Sequence, residues 1–245
     1  MVEQEAHRTA RGLTAFGFIA LALAAALPAV AHPDKAPSTF YCDALPVDPE
    51  TISPEQNPLA LPDDWKDFAK LTDHWIAVKT RSDTTHCVSV DWILAGEDYE
   101  RFDDRFAGFE WTGFEAWGYI LIDTAGTGRD IDTGARPVFS PHGYSFATIQ
   151  FSDAGWGGFE GFAIWRIAPK TIEPIHVTTD LPSLTDWRID RWEDEDCLHL
   201  SAVPWDRIDG NWDNLPRLAR DHYVAAAAKG WEIMPGEACP TYDAP

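Results

Sequence analysis

Basic residues are scarce in this chain: 19 lysines and arginines stand against 40 aspartates and glutamates in 245 residues, a formal charge of −21. A field of that sign repels polyanions, so nucleic acid and anionic membrane surfaces are excluded as natural partners, whereas cations and basic proteins are drawn in. Cysteine is sparse too. The four present are separated by 45, 110 and 42 residues with no Cys-x-x-Cys, a spacing that fits no zinc finger or ribbon. There is no Gly-x-Ser-x-Gly elbow, and the glycine-rich loop at 155–161 lacks the lysine and hydroxyl of a phosphate cradle. The eight histidines include no pair at ligand spacing. Beyond residue 31 no apolar run is long enough to cross a bilayer. Serine-hydrolase, nucleotide and zinc chemistry therefore have no sequence warrant.

What the chain does carry begins at its start. An apolar stretch over residues 13–27, led by Arg8 and Arg11, ends in Ala29-Val30-Ala31. Its length is short of a membrane span, and small residues at −3 and −1 suit signal peptidase, so residues 1–31 are expected to be a signal peptide. No cysteine follows the apolar core before Cys42, which argues against lipid attachment. The expected product is free in the periplasm or medium, with no membrane span after cleavage. Glu3 and Glu5 make the leading flank unusually long and acidic. An even cysteine count in an exported chain predicts two disulfides among Cys42, Cys87, Cys197 and Cys239. Three pairings are open, including an end-joining clasp and a local scheme.

Residues 32–62 are rich in proline and read as an extended arm. One β-rich domain is expected over 63–245. Asp63 and Asp64 open a candidate short helix to Leu71. Residues 75–79 and 87–94 alternate with period two and read as a hairpin across the turn at 81–85. The strongest internal signal is Phe114-Glu115-Ala116-Trp117-Gly118-Tyr119-Ile120-Leu121-Ile122, which recurs 45 residues later as Phe159-Glu160-Gly161-Phe162-Ala163-Ile164-Trp165-Arg166-Ile167.

That period, together with Ser140-Pro141-His142-Gly143 between two strands, resembles the blade repeats of β-propellers, with His142 where blades usually carry aspartate. The resemblance spans about residues 109–205 and implies fold alone. The chain as a whole is similar to uncharacterised exported proteins of Gram-negative bacteria, which implies no activity. About ten candidate strands are too few for four full blades, so propeller-like or sandwich-like antiparallel sheets are expected. Asn214, Pro216 and the alanine-rich run to Gly230 predict a C-terminal helix over about 215–229. A last strand is expected near residues 231–234.

Several residues are candidates for function. Glu115 and Glu160, with Asp153, are the paired carboxylates that could serve acid–base chemistry on a glycosidic bond. Twelve tryptophans are present. Trp75, Trp92, Trp117, Trp165 and Trp192 fall in expected strands and read as core, whereas Trp111, Trp156, Trp205 and Trp212, in loops or at strand ends, are the candidates for stacking on a ligand. Asp209, Asn211 and Asp213 place oxygens at alternate positions and are the calcium candidates, although Arg220 occupies the twelfth position of an EF-hand loop. His199 is expected to face solvent and His222 to lie on the apolar face of the helix. The reading is an exported all-β protein that binds a protein or glycan of the envelope, with a basic partner favoured by charge. A glycan hydrolase and an inhibitor of a basic secreted hydrolase are the alternatives. No cofactor other than calcium is indicated.

Overall fold

The computed structural model describes residues 38–47, 59–151, 158–210, 212–227 and 230–241. The expected signal peptide, most of the 32–62 arm, and Asp153, Trp156 and Asn211 lie outside the described residues. Fifteen strands among those described form four sheets, each an antiparallel meander of consecutive strands. The first holds β1 (Ala69–Leu71), β2 (Trp75–Lys79) and β3 (Thr85–Ser89). In the second are β4 (Ala95–Arg101), β5 (Phe106–Gly113), β6 (Ala116–Asp123) and β7 (Arg129–Asp132). The third runs through β8 (Val138–Phe139), β9 (Ser145–Gln150), β10 (Gly161–Ala168) and β11 (Thr171–Thr178). The fourth contains β12 (Thr185–Asp194), β13 (Cys197–Val203), β14 (Asp221–Ala226) and β15 (Glu232–Pro235).

Short turns make this topology cheap to close. In the Ser140-Pro141-His142-Gly143 turn, Gly143 adopts φ 68° and donates its N–H to the Ser140 carbonyl at 2.9 Å, while Ser140 Oγ accepts from Ser145 N–H. His142 N–H donates to Glu195 Oε1 at 2.8 Å, which ties the third sheet to the β12–β13 turn of the fourth.

Sheets pack in chain order because their middle strands are apolar on both faces. Ile76, Val78 and Val88 of the first sheet, with Trp65, share a core with Ala107, Phe109, Trp111, Ile120 and Ile122 of the second. On the opposite face of the second sheet, Phe106, Leu121 and Ile131 meet Phe146, Ala163, Trp165 and Ile172 of the third. Ile149, Phe162 and Ile164 then meet Trp187, Leu198, Leu200 and Ala202 of the fourth. Among the described residues no core cluster joins the fourth sheet back to the first. The fold is thus all-β and mainly antiparallel, four meanders without propeller closure among the described residues.

The C-terminal helix expected over 215–229 is not formed in the described part of that segment. Residues Trp212–Arg217, with Pro216 inside, make a 3-10 turn, and Asp221–Ala226 is strand β14. Tertiary pairing overrides the alanine propensity: β14 lies between β13 and β15, and Val224, Ala225 and Ala226 are small enough to be buried there. His222 is consequently exposed instead of facing a core. His199 is buried, against expectation, because every residue of β13 is covered, and its Nε2 lies 3.1 Å from Glu193 Oε2. The expected helix from Asp63 is a single 3-10 turn, Asp63–Trp65, before β1, and the hairpin strand ends at Ser89 instead of Leu94. The arm is not extended throughout, since Phe40–Asp43 forms one helical turn, α1. The disulfides follow the local scheme, Cys42–Cys87 and Cys197–Cys239. Among the described residues no helix is long and apolar enough to cross a membrane.

Candidate binding cavity

The second, third and fourth sheets converge on a cavity of about 310 Å³, within the range of small-ligand sites. Strands β5 and β6 build one wall through three direct cross-strand pairs, Glu110 with Tyr119, Trp111 with Gly118 and Thr112 with Trp117. Gly118 is required by close approach. A Cβ there would sit 2.7 Å from Trp111 Nε1, so only glycine lets the indole lie flat across the neighbouring strand. The third sheet contributes Ile149 and Gln150, the link before it Gly134 to Arg136, and the fourth sheet Asp186 and Trp187.

The polar groups of this wall fall into two sets. One set is satisfied. Arg136 is held bidentately by Glu100, Nε to Oε2 at 2.6 Å and Nη2 to Oε1 at 2.7 Å. Asp186 is neutralised by Arg220 Nη1 at 2.6 Å and Arg188 Nη2 at 2.9 Å. The other set is not. Tyr119 Oη, Gln150 Nε2 and Trp187 Nε1 have no hydrogen-bond partner, although these residues are only 1, 8 and 7 % exposed. Trp111 Nε1 faces the Asp132 carboxyl without closing a hydrogen bond to it. Four of the ten such buried atoms among the described residues therefore belong to the cavity lining. Buried donors are ordinarily paired, and a cluster of unpaired ones requires an explanation.

Electrostatics reinforce the point. Burial raises the Tyr119 phenol well above its usual range, so it is a neutral O–H donor. The Glu110 carboxyl is also raised, by burial first and then by Asp98 and Glu97, with Arg136 opposing. Beside the wall, burial pushes Asp132 up to about 6 against the hydrogen bond it accepts from Gly134 N–H at 2.9 Å. Gly158 closes over Asp132, leaving no room for a Cβ.

Of the three stacking candidates among the described residues, Trp111, Trp205 and Trp212, only Trp111 lines this cavity. It lies within β5, not in a loop, and packs edge-on against Trp92 at 4.2 Å. Trp117, expected in the core, is 46 % exposed and forms part of the lining. Trp165 and Trp192 are buried, and Trp192 Nε1 donates to the Val138 carbonyl at 2.9 Å. Trp75 and Trp92 are partly buried. Trp205 and Trp212 meet at 5.8 Å on the 3-10 turns after β13, with Trp212 exposed, and neither lines the cavity.

Glu115 stands exposed at φ 53° in the turn between β5 and β6, and Glu160 is half-buried just before β10. Neither lines the cavity. Asp209 and Asp213 are exposed, and among the described residues no group of three or more acidic, histidine or cysteine side chains is poised to hold a metal. Tyr119, Gln150 and Trp187 were not candidates from sequence. Their local sequence is that of ordinary strand residues, and only the convergence of three sheets brings them to one cavity. No family model, curated protein or solved structure matches this chain.

Proposed function

We propose that the chain is an exported carbohydrate-binding module of the cell envelope that takes a polyhydroxylated ligand, such as a short glycan segment, in the three-sheet cavity. One observation carries this reading: Tyr119, Gln150 and Trp187, whose buried donors make no hydrogen bond within the protein, together line a space of ligand size. A sugar has the complementary surface. Its hydroxyl and ring oxygens accept those hydrogen bonds, and its apolar face stacks on an indole such as the half-exposed ring of Trp117. The apolar segment at 13–27 and the two disulfides support the exported location in this reading.

Titration of tryptophan fluorescence with neutral soluble oligosaccharides tests the reading. Saturable quenching is expected with the parent protein. Tyr119→Phe and Trp187→Phe each remove one donor and are expected to weaken binding by about five- to tenfold, the value of one hydrogen bond of about 1 kcal/mol. Tyr119→Phe preserves the ring and its packing, so unchanged affinity in that variant overturns the assignment.

A further inference from the structure

Two carboxylates of the cavity lining, Glu97 and Glu110, stand where the sheet would ordinarily avoid them, with Asp98 next to Glu97 in the chain. Glu97 on β4 and Glu110 on β5 are direct cross-strand partners, and both line the cavity. Like charges directly opposite in an antiparallel pair repel. Asp98 follows Glu97 at φ 46°, where the β4–β5 register shifts, and its charge also acts on Glu110. The one basic side chain of the described lining, Arg136, is already engaged by Glu100. The next residue inward is Tyr119, the cross-strand partner of Glu110, with its buried unpaired hydroxyl. A negative rim thus adjoins an inner wall of donors.

A metal ion does not fit this arrangement, because the described carboxylates nowhere gather as a set of three ligands. An organic cation does. An ammonium group spreads its donors over separated acceptors and is held by the two glutamates and the exposed face of Trp117, while the oxygen-bearing body reaches Tyr119, Gln150 and Trp187. We infer that the ligand is an amino sugar, a saccharide with a free ammonium group that Glu97 and Glu110 receive at the cavity rim. The inference rests on the carbohydrate reading above and names the class of sugar within it.

The test compares two probes of equal length, a β-1,4-linked glucosamine trimer and its fully N-acetylated counterpart, against the parent and the double variant Glu97→Gln/Glu110→Gln at low and high salt. The parent is expected to bind the glucosamine trimer about tenfold more tightly at low salt, with the preference shrinking at high salt. The double variant should bind both trimers with the acetylated trimer's affinity. Its melting temperature should not fall, since the substitution relieves a repulsion, and this confirms that it is folded. Equal binding of both trimers by the parent overturns the amino-sugar inference and leaves the carbohydrate reading standing. A preference that persists in the double variant overturns it as well, by assigning the effect to the overall charge. Failure of the parent to bind either trimer overturns both.

Discussion

A buried phenol hydroxyl left without any partner costs about 1–3 kcal/mol, and Tyr119 Oη makes no hydrogen bond to another group of the protein. Asp132 is held at a cost. Its folded pKa of about 6 lies above its unfolded value of 3.8, and the sign of the effect follows. Below about pH 4 both states hold the proton and there is no penalty. As pH rises the unfolded chain ionises first, so stability falls between about pH 4 and 6 and levels off above, at a loss on the order of 3 kcal/mol. Asp132→Asn keeps an oxygen acceptor for Gly134 N–H and cannot ionise. Its melting temperature should exceed the parent's at about pH 8 and converge with it near pH 4, and a constant difference across that range would contradict the account. Part of the site was legible residue by residue. Trp111 drew attention through its expected place in a loop or at a strand end, whereas Trp117 was assigned to the core because period two cannot distinguish a face that meets another sheet from one that meets a cavity. Tyr119, Gln150 and Trp187 lie in three sheets, and their shared lack of partners is a property of packing that no local pattern encodes.

Between elements, one clamp fastens the second sheet to the third. Arg105, just before β5, pairs bidentately with Asp123 at the end of β6, both contacts at 2.7 Å, and also donates to the carbonyls of Ala168 and Thr171 across the β10–β11 turn. Both side chains are buried, so removing one partner strands the other. Arg105→Met should destabilise the protein by about 3 kcal/mol, and adding Asp123→Leu should recover most of the loss; denaturant unfolding of both variants measures this. An unrecovered double variant would place the main role in the carbonyl contacts. Elements of this kind also show where sequence reading succeeds. The β2–β3 hairpin was legible because alternating apolar residues flank a polar turn. Strand β14 was not, since Tyr223 to Ala227 offers no alternation and helix is the intrinsic preference of alanine. Its strand state comes from pairing with β13 and β15, including Cys197 opposite Ala226, which are contacts distant in sequence.

At the scale of the whole molecule, no core cluster among the described residues joins the first sheet to the fourth, and a disulfide reinforces each of these two sheets. Cys42–Cys87 ties the α1 turn to β3, and Cys197–Cys239 ties the chain after β15 back to β13. The loops closed span 45 and 42 residues, so each bridge contributes about 4 kcal/mol on a chain-entropy basis. Their consequences for binding should nevertheless differ. The fourth sheet supplies Asp186 and Trp187 to the cavity, whereas no residue of β1, β2 or β3 lines it. Replacing Cys42 and Cys87 by serine should lower the melting temperature while leaving oligosaccharide affinity within about twofold, because the cavity wall stays intact. Replacing Cys197 and Cys239 should lower both stability and affinity, since Cys197 starts the strand against which β12 carries Trp187. Measuring melting and binding on the two serine pairs separates these effects. Equal loss of affinity in both would mean that the four sheets respond as one cooperative unit and that the cavity depends on the whole row rather than on the three sheets that line it.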